Sequence, residues 1–386
     1  MAKTDNNKLA IALHKKLGGK IRITPAIKIK NKADLALVYT PGVAAVSLLI
    51  SSPQTSAAQS KLAKEYTIKK RMVAVISDGS AVLGLGNIGP YGALPVMEGK
   101  AALFKEFADV DAFPIVLNTQ NVDEIVQTIL NIAPTFGGIN LEDFKAPQCF
   151  EIEERVKEAL DIPVMHDDQH GTAIVVLAAL INAAAVVKKD FKKMRVVVAG
   201  AGAAGTAVAK LLLLAGIKDI IVLDSSGILN KNRTSLPLHK QELATRTNPM
   251  GVEGGLQDAL RGADAVIGVS GPALMKADDV RLMADNAIVF ALANPIPEIM
   301  PDEAKKGGAT VIATGRSDFP NQINNSLAFP GVFRGALDNK VNKITDEMKL
   351  KAARALAALV KAPKADKIIP GPFDKGVVQA VAKAIK

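Results

Sequence analysis

The chain has 386 residues, of which 49% are hydrophobic, 22% charged and 4% aromatic, with a formal charge of +10. Such a length suits two or three domains with a sizeable core, and the balance of residue types is that of a globular protein rather than a fibrous, low-complexity or repeat chain. Scarce aromatics and the absence of Trp argue against a base-stacking platform for single-stranded nucleic acid.

The positive charge lies in lysine clusters such as KKDFKK at 188–193, with acids interspersed. It reads as solvated surface, with attraction of small anions as the alternative; no nucleic-acid partner is expected. One cysteine, Cys149, excludes an internal disulfide framework and suits a reducing cytosol. The N-terminal MAKTDNNKLA has no apolar core of the signal-peptide kind. The longest apolar run, 172–187, is interrupted by Asn182 and reads as a buried helix, not a membrane span. These features predict a cytoplasmic protein without a membrane partner.

In chain order, 8–16 reads as a short amphipathic helix, and 33–40 leads to a Pro-Gly turn at Pro41-Gly42. MVAVI at 72–76 is a β-type run closed by Asp78-Gly79. A helix over 97–107, a strand over 112–117 and a helix over 122–132 follow. FGGINLED then reads as a Gly-Gly turn feeding two acids. A helix over 150–160 and the extended stretch IPVMHDDQH close this region, and the next helix is expected over 172–187. Beyond it, strand 195–199, a glycine loop, helix 206–215 and strand 219–223 make a βαβ unit. Short unalternating apolar runs at 265–269, 287–291 and 310–313 read as further buried parallel strands. The expected fold is α/β: an N-terminal mixed α/β catalytic domain over 1–165 and a doubly wound (Rossmann) dinucleotide domain over 166–386, with C-terminal helices packing back.

Two stretches match GxGxxG: Gly84–Gly89 and Gly200–Gly205. The pattern alone is weak and its context decides. At Gly200, Gly202, Ala203, Ala204 and Gly205 a β-branched strand runs into the loop and a Pro-free helix leaves it. Asp224 ends the next strand, where it would accept hydrogen bonds from a ribose diol. At 84–89, Asp78-Gly79 separates the loop from its strand, and Pro90 and Pro95 are expected to postpone any helix. The second loop is the expected cofactor site; the first is a hairpin or a cleft wall. Because Asp224 repels a 2′-phosphate and Ser225-Ser226 supply no cation, NAD is expected over NADP, although Lys231 and Arg233 lie just downstream.

Two acidic groups stand out, Glu142-Asp143 and the Asp167-Asp168 pair of HDDQH. Adjacent carboxylates beside apolar segments are costly unless a cation compensates them, and oxygen donors suit Mg²⁺ or Mn²⁺ better than zinc. Either pair by itself also fits a helix N-cap or a surface turn.

The ordered series VYTPGVA (38–44), SDGSAVLGLGNIG (77–89), PVMEGKAALFK (95–105), FGGINLEDFKAP (136–147), HDDQHGTA (166–173), GAGAAG (200–205), ALANPIPE (291–298) and ATGRSDFPNQINNSLAFPG (313–331) resembles the small bacterial type of malic enzyme. The resemblance implies oxidation and decarboxylation of L-malate to pyruvate and CO₂ with NAD(P) and a divalent metal. It further implies Glu142, Asp143 and Asp168 as metal ligands, and Lys100 as the base that takes the C2 hydroxyl proton, tuned by Asp167. Tyr39 would be the acid that protonates C3. Asn294, Asn325 and Asn324 would contact substrate, with Asn294 also at the cofactor. A homodimer, with N-terminal segments exchanged between its subunits, is implied as well. A base of this kind needs a depressed pKa. The arginine that larger members carry after the DG pair is absent; Ser80-Ala81-Val82 stands there, leaving GLGNIG as a candidate donor to a substrate carboxylate. Two other readings compete: a malolactic-type or oxaloacetate-decarboxylating activity with retained cofactor, and a non-catalytic NAD-binding protein.

Overall fold

The computed structural model describes residues 6–386; part of the stretch read above for a signal sequence lies outside the described residues. Helices α1 (Asn6–Leu17), α2 (Lys32–Val38), α3 (Gly42–Ser51) and α4 (Ser56–Tyr66) come first. None of the four buries a residue, although Ile11, Leu37 and Leu48 are strongly exposed apolar side chains.

Strands β1 (Met72–Ser77), β2 (Asp111–Val116), β3 (Gly138–Leu141) and β4 (Val164–His166) form a parallel sheet in the order β2-β1-β3-β4. Its crossovers are α5 (Gly89–Ala108), α6 (Val122–Ile132) and α7 (Gln148–Ala159). The side chain of Asn121 starts α6 by accepting from the Glu124 amide, with Asp123 and Glu124 in the first turn complementing the helix dipole.

After α8 (Asp167–Val186) comes a second sheet of β5 (Arg195–Ala199), β6 (Asp219–Asp224), β7 (Gly227–Ile228), β8 (Ala265–Gly268), β9 (Ile288–Ala291) and β10 (Val311–Thr314). Its order is β10-β9-β8-β5-β6-β7, parallel except for the short edge strand β7. Helices α9 (Ala203–Ala215), α10 (Leu238–Arg246), α11 (Leu256–Leu260), α12 (Ala277–Val280) and α13 (Pro301–Lys306) connect it. Then α14 (Phe329–Asp338), α15 (Asp346–Ala357) and α16 (Val377–Ala384) pack back, α14 against α5 and α15 against α8.

The helix α8 joins the halves. Its apolar side chains share one core with Val73 and Val75 of β1, Val196 and Val198 of β5, and Phe329 and Phe333 of α14. Phe104 meets Phe329 and Phe333 edge-on at centroid distances of 4.7 and 5.5 Å. Fully buried side chains of this size each contribute about 1.5–3 kcal/mol. So the helix that begins with Asp167 and Asp168 is held between both sheets.

Three local expectations fail for identifiable reasons. The first turn of α8 begins at Asp167, five residues before the expected start at 172. Polar HDDQH resembles an extended link, but aspartates are favourable at a helix N-terminus, where amides lack partners. Next, α5 starts at Gly89 despite Pro90 and Pro95. Proline in the first turn, as at Pro90, forfeits no hydrogen bond, and the helix continues through Pro95, whose missing N–H costs the single bond to the Tyr91 carbonyl. Finally, GINL is no turn. It is the buried strand β3, paired on both sides by β1 and β4.

Candidate active site

The two sheets present the C-terminal ends of their parallel strands to one cleft of about 870 Å³. From the first sheet come Leu83 and Gly84 after β1, Glu142 and Asp143 after β3, and Asp168 after β4, with Lys100 from α5. From the second come Gly202–Ala204 after β5, Val269–Pro272 after β8 and Leu292–Ile296 after β9. Because β6 lies on one side of β5 and β8 on the other, this is the switch point where doubly wound sheets take their ligands.

Each glycine of the second loop has a separate reason. Gly200 takes φ +125°, and a Cβ there would meet the Val269 carbonyl oxygen at 2.5 Å; one on Gly205 would meet the Gly200 carbonyl oxygen at 1.8 Å. Around Gly202 there is open space, which leaves its backbone approachable from the cleft. The N-terminus of α9 begins at Ala203, so the loop can receive a pyrophosphate on free amides.

The first glycine loop behaves differently from the expectation that its glycines approach a substrate. Of the loop itself Gly84 lines the cleft, with Ala81 and Leu83 just before it, and a Cβ on Gly84 would lie 1.8 Å from the Asn294 carbonyl oxygen. Its tightness serves the contact between the two sheets' loops. Gly86 and Gly89 have positive φ with open space around them, as turns require.

Lys100 is buried, with Nζ 2.6 Å from Asp167 Oδ2, 2.8 Å from Glu142 Oε1 and 4.3 Å from the centroid of the Phe329 ring. Asn140 Nδ2 donates to Glu142 Oε2 at 2.9 Å, and the Asp143 amide donates to Asp168 Oδ2 at 2.8 Å. Glu142, Asp143 and Asp168 can bring one oxygen each within 4.8 Å of one another. Asp143 Oδ2 is buried without a hydrogen-bond partner. Four carboxylates thus face one ammonium, a local excess of three negative charges when all are ionised.

The titration of these groups records that excess. Burial, then the charges of Asp168 and Glu142, push Asp143 up to about 9. Burial likewise pushes Glu142 to about 7, against the pull of Lys100, and Asp167 to about 7. Burial would lower Lys100, but Asp167, Glu142 and Asp168 outweigh it and hold the ammonium above its ordinary value. Asp167, Glu142 and Asp168 thus oppose the lowering that a bound cation would bring to Lys100. The donor set is all oxygen, with one orphaned carboxylate oxygen, and fits a hard divalent cation.

Neither histidine of HDDQH belongs to that donor set. His170 Nε2 lies 3.0 Å from Glu153 Oε2, and buried His166 stands behind Asp168 at 3.6 Å. Glu153, which the sequence reading did not single out, accepts from the His166 amide at 2.9 Å and from Gln169 at 3.2 Å. It anchors the start of α8 from behind. A second unforeseen acid, fully buried Glu298, accepts from the amides of Ser270 and Ala293 at 2.9 and 3.0 Å. It ties together the loops after β8 and β9. Glu298 could have been sought as a single acid in a turn-rich segment, whereas Glu153 is one of four glutamates on α7 and only its burial sets it apart.

Asn294, Asn324 and Asn325 line the cleft; Asn324 is partly committed, accepting from the Ser326 amide at 2.9 Å. Asp224 ends β6 as expected, but it is not free: Arg233 Nη1 lies 3.0 Å from Oδ1 and Lys240 Nζ 2.6 Å from Oδ2. Ser225-Ser226 supply no cation, as expected, but Arg233 folds back from just downstream, and Lys240, which the sequence did not point to, is brought in from α10, sixteen residues on. Tyr39 is not brought to the cleft of its own chain: it is 68% exposed.

Comparison with known proteins followed the same division. The family model described as "Malic enzyme, N-terminal domain" matches residues 18–121 and 118–157, and "Malic enzyme, NAD binding domain" matches 169–384. An "NAD-dependent malic enzyme" of Geobacillus stearothermophilus is 54% identical over 371 residues, covering 96% of this chain and 76% of the relative. A "Bifunctional malic/malolactic enzyme" of Bacillus subtilis is 52% identical over 379 residues, covering 97% and 91%. Among solved structures, an NAD-dependent malic enzyme from Thermotoga maritima superposes with a TM-score of 0.93 at 47% identity, covering 98% of each chain.

Proposed function

The chain belongs to the malic enzymes, and from that premise we propose how its cleft carries out the oxidative decarboxylation of malate with NAD(P). The observation that carries the reading is the meeting of the Gly200–Gly205 loop with Lys100, Glu142, Asp143 and Asp168 in one cleft.

Glu142, Asp143 and Asp168 would hold Mg²⁺ or Mn²⁺. When bound, the ion supplies Lewis-acid polarisation of the substrate's C2 oxygen and neutralises charge developing there. Gly202, Ala203 and Ala204 would hold the dinucleotide, for which we propose NAD, on backbone and a helix terminus, with Asp224 at its ribose end; when bound it would supply the hydride acceptor for C2. Lys100 takes the C2 hydroxyl proton. It must first lose its own proton, which becomes easier once Glu142 and Asp168 turn their charge to a cation. Asp167, whose Oδ2 holds Nζ at 2.6 Å, aims the amine. Asn294, Asn324 and Asn325 supply amide donors at the cleft wall for the substrate carboxylates.

Tyr39 would deliver the proton to C3, with its phenol protonated at neutral pH. Since it is exposed in its own chain, we propose that it enters the cleft of a second copy in a homodimer. The support is apolar surface left uncovered on α1–α4, including the stretch 32–51, which is apolar along its length yet wholly unburied. A second copy covers such surface without exposing it to water. We place the enzyme in the cytoplasm on its lone free cysteine.

The test is a spectrophotometric assay with malate and Mn²⁺, with and without chelator. Net formation of reduced dinucleotide together with pyruvate is expected. Lactate as product without net reduction would sink the oxidative reading.

A further inference from the structure

Glu153 is placed to decide more than the anchoring of a helix. It sits on the buried face of α7 with Cys149, Ile152 and Val156, and its two oxygens take four donors. Oε1 accepts from the His166 amide at 2.9 Å and from Lys157 Nζ at 2.6 Å. Oε2 accepts from Gln169 Nε2 at 3.2 Å and lies 3.0 Å from His170 Nε2. An ionised carboxylate only accepts, through about four lone-pair sites. His170 is therefore the donor in its pair, and the accepting capacity of Glu153 is used up.

Three of those donors belong to residues that bracket Asp167 and Asp168: His166 closes β4, and Gln169 and His170 stand in the first turn of α8. One buried carboxylate thus holds the chain on both sides of the two aspartates. The opening amides of a helix have no partners within it, so a polar first turn is fixed from outside or frays. The hold reaches Asp168 through the His166 ring. That ring is fully buried, neither nitrogen has a hydrogen-bond partner, and Nε2 stands 3.6 Å from Asp168 Oδ2. From the other side, the same Asp168 oxygen accepts from the Asp143 amide at 2.8 Å. Glu153 itself lines a separate cavity of about 480 Å³ among α7, α8, α9 and α15, and does not line the cleft.

We propose that Glu153 is a positioning residue for the cation site: by clamping His166, Gln169 and His170 it fixes where Asp168 presents its carboxylate, and so sets the affinity for Mg²⁺ or Mn²⁺. The proposal rests on the reading of Glu142, Asp143 and Asp168 as the cation's ligands. Groups that orient a ligand from behind govern metal affinity although they never touch the ion.

The test needs neither malate nor turnover. Glu153→Gln keeps the volume but leaves one accepting oxygen, and its amide nitrogen confronts the donors on the other side of the clamp. Titration of the whole protein with Mn²⁺, read by the electron paramagnetic resonance of the free ion, should show affinity lower by about 10–100-fold. Calorimetric affinity for NAD, measured without metal, should be unchanged. His170→Ala should also weaken Mn²⁺ binding, and His170→Gln, whose amide can still donate to Oε2, should regain it; a general loosening of the fold does not follow that order. Wild-type Mn²⁺ affinity in Glu153→Gln, or a parallel loss of NAD affinity, overturns the proposal. Where Glu153→Gln lacks a thermal transition, the His170 variants decide, and equal Mn²⁺ affinities in the two overturn it. Absence of Mn²⁺ binding by the wild type fells the cation-site reading and the proposal together, whereas wild-type binding with an unaltered Glu153→Gln fells the proposal alone.

Discussion

Lys100 Nζ stands 2.6 Å from Asp167 Oδ2 with both side chains buried, one on α5 and the other opening α8. That contact raises the lysine's pKa, so its removal has a direction. In Asp167→Asn the ammonium loses its nearest negative partner, and the acid limb of the pH profile of kcat/KM is expected to move to lower pH while kcat falls. An unmoved limb would show that Asp167 only packs. Lys100→Ala should reduce kcat by about 10²–10⁴-fold, the usual worth of a positioned base, with dinucleotide binding retained in a fluorescence titration.

The same lysine pairs directly with two of the four carboxylates, Glu142 and Asp167, which sets its effect on stability. Removing one partner of a buried ion pair costs about 3–5 kcal/mol. Lys100→Ala should therefore unfold at lower denaturant in chelator, and Mn²⁺ should restore part of the loss by neutralising Glu142, Asp143 and Asp168. Equal midpoints with and without Mn²⁺ would speak against the three acids as a cation site.

Tyr39 and Lys100 are proposed to meet only across two subunits. Tyr39→Phe and Lys100→Ala should each lack pyruvate formation alone. Unfolded together and refolded as a mixture, they should regain roughly a quarter of wild-type activity, since half the dimers are mixed and each of those carries one intact site. No recovery, in mixtures shown by mass spectrometry to contain the mixed dimer, would place Tyr39 in its own chain's cleft or outside the reaction.

Gly205 has no room for a methyl group, with the Gly200 carbonyl oxygen 1.8 Å from the position of a Cβ. Gly205→Ala must push the loop off the helix, and dinucleotide affinity is expected to fall by tenfold or more with Mn²⁺ affinity unaltered. Gly202→Ala meets open space, so it should leave the fold intact and act only on the ligand. Calorimetric titrations of both variants with NAD separate these outcomes from simple misfolding.

Asp224 supplies a stability test by pH. Despite partial burial, hydrogen bonds from Arg233 and Lys240 hold it at about 2, below its ordinary 3.8. A depressed folded-state value means stabilisation that is complete above the ordinary value and lost as the pH falls through the folded one. Asp224→Asn should thus be less stable than wild type at about pH 6, with the gap narrowing between about pH 4 and pH 2. Urea midpoints across that range read the effect, and a constant gap would assign it to packing instead.

Local patterns made much of this protein readable. The strand–glycine–helix–acid order at 195–224 holds because each part is a nearest-neighbour requirement: β-branched residues for a buried strand, glycines for close backbone approach, a Pro-free helix behind them. The ordered motifs also named Lys100, Glu142, Asp143 and Asp168, and these meet in one cleft. Where local reading failed, the missing information was tertiary. HDDQH looked extended because its polarity hid a helix N-terminus, and GINL looked like a turn because its value as a strand comes from β1 and β4 on either side.

The stretch SDGSAVLGLGNIG carried a cofactor fingerprint that its surroundings denied, and residues alone went that far. Only the folded chain shows that Gly84 abuts the Asn294 carbonyl, that Glu153 and Glu298 hold the cleft's loops from behind, and that Lys240 arrives from a distant helix to cover Asp224. The sequence determined which chemistry the chain holds, because side-chain types and local spacing are written in it. The tertiary structure decided which carboxylates surround Lys100, the cover on Asp224 and the exposure of Tyr39 in its own chain, because each depends on long-range contacts that no local spacing encodes.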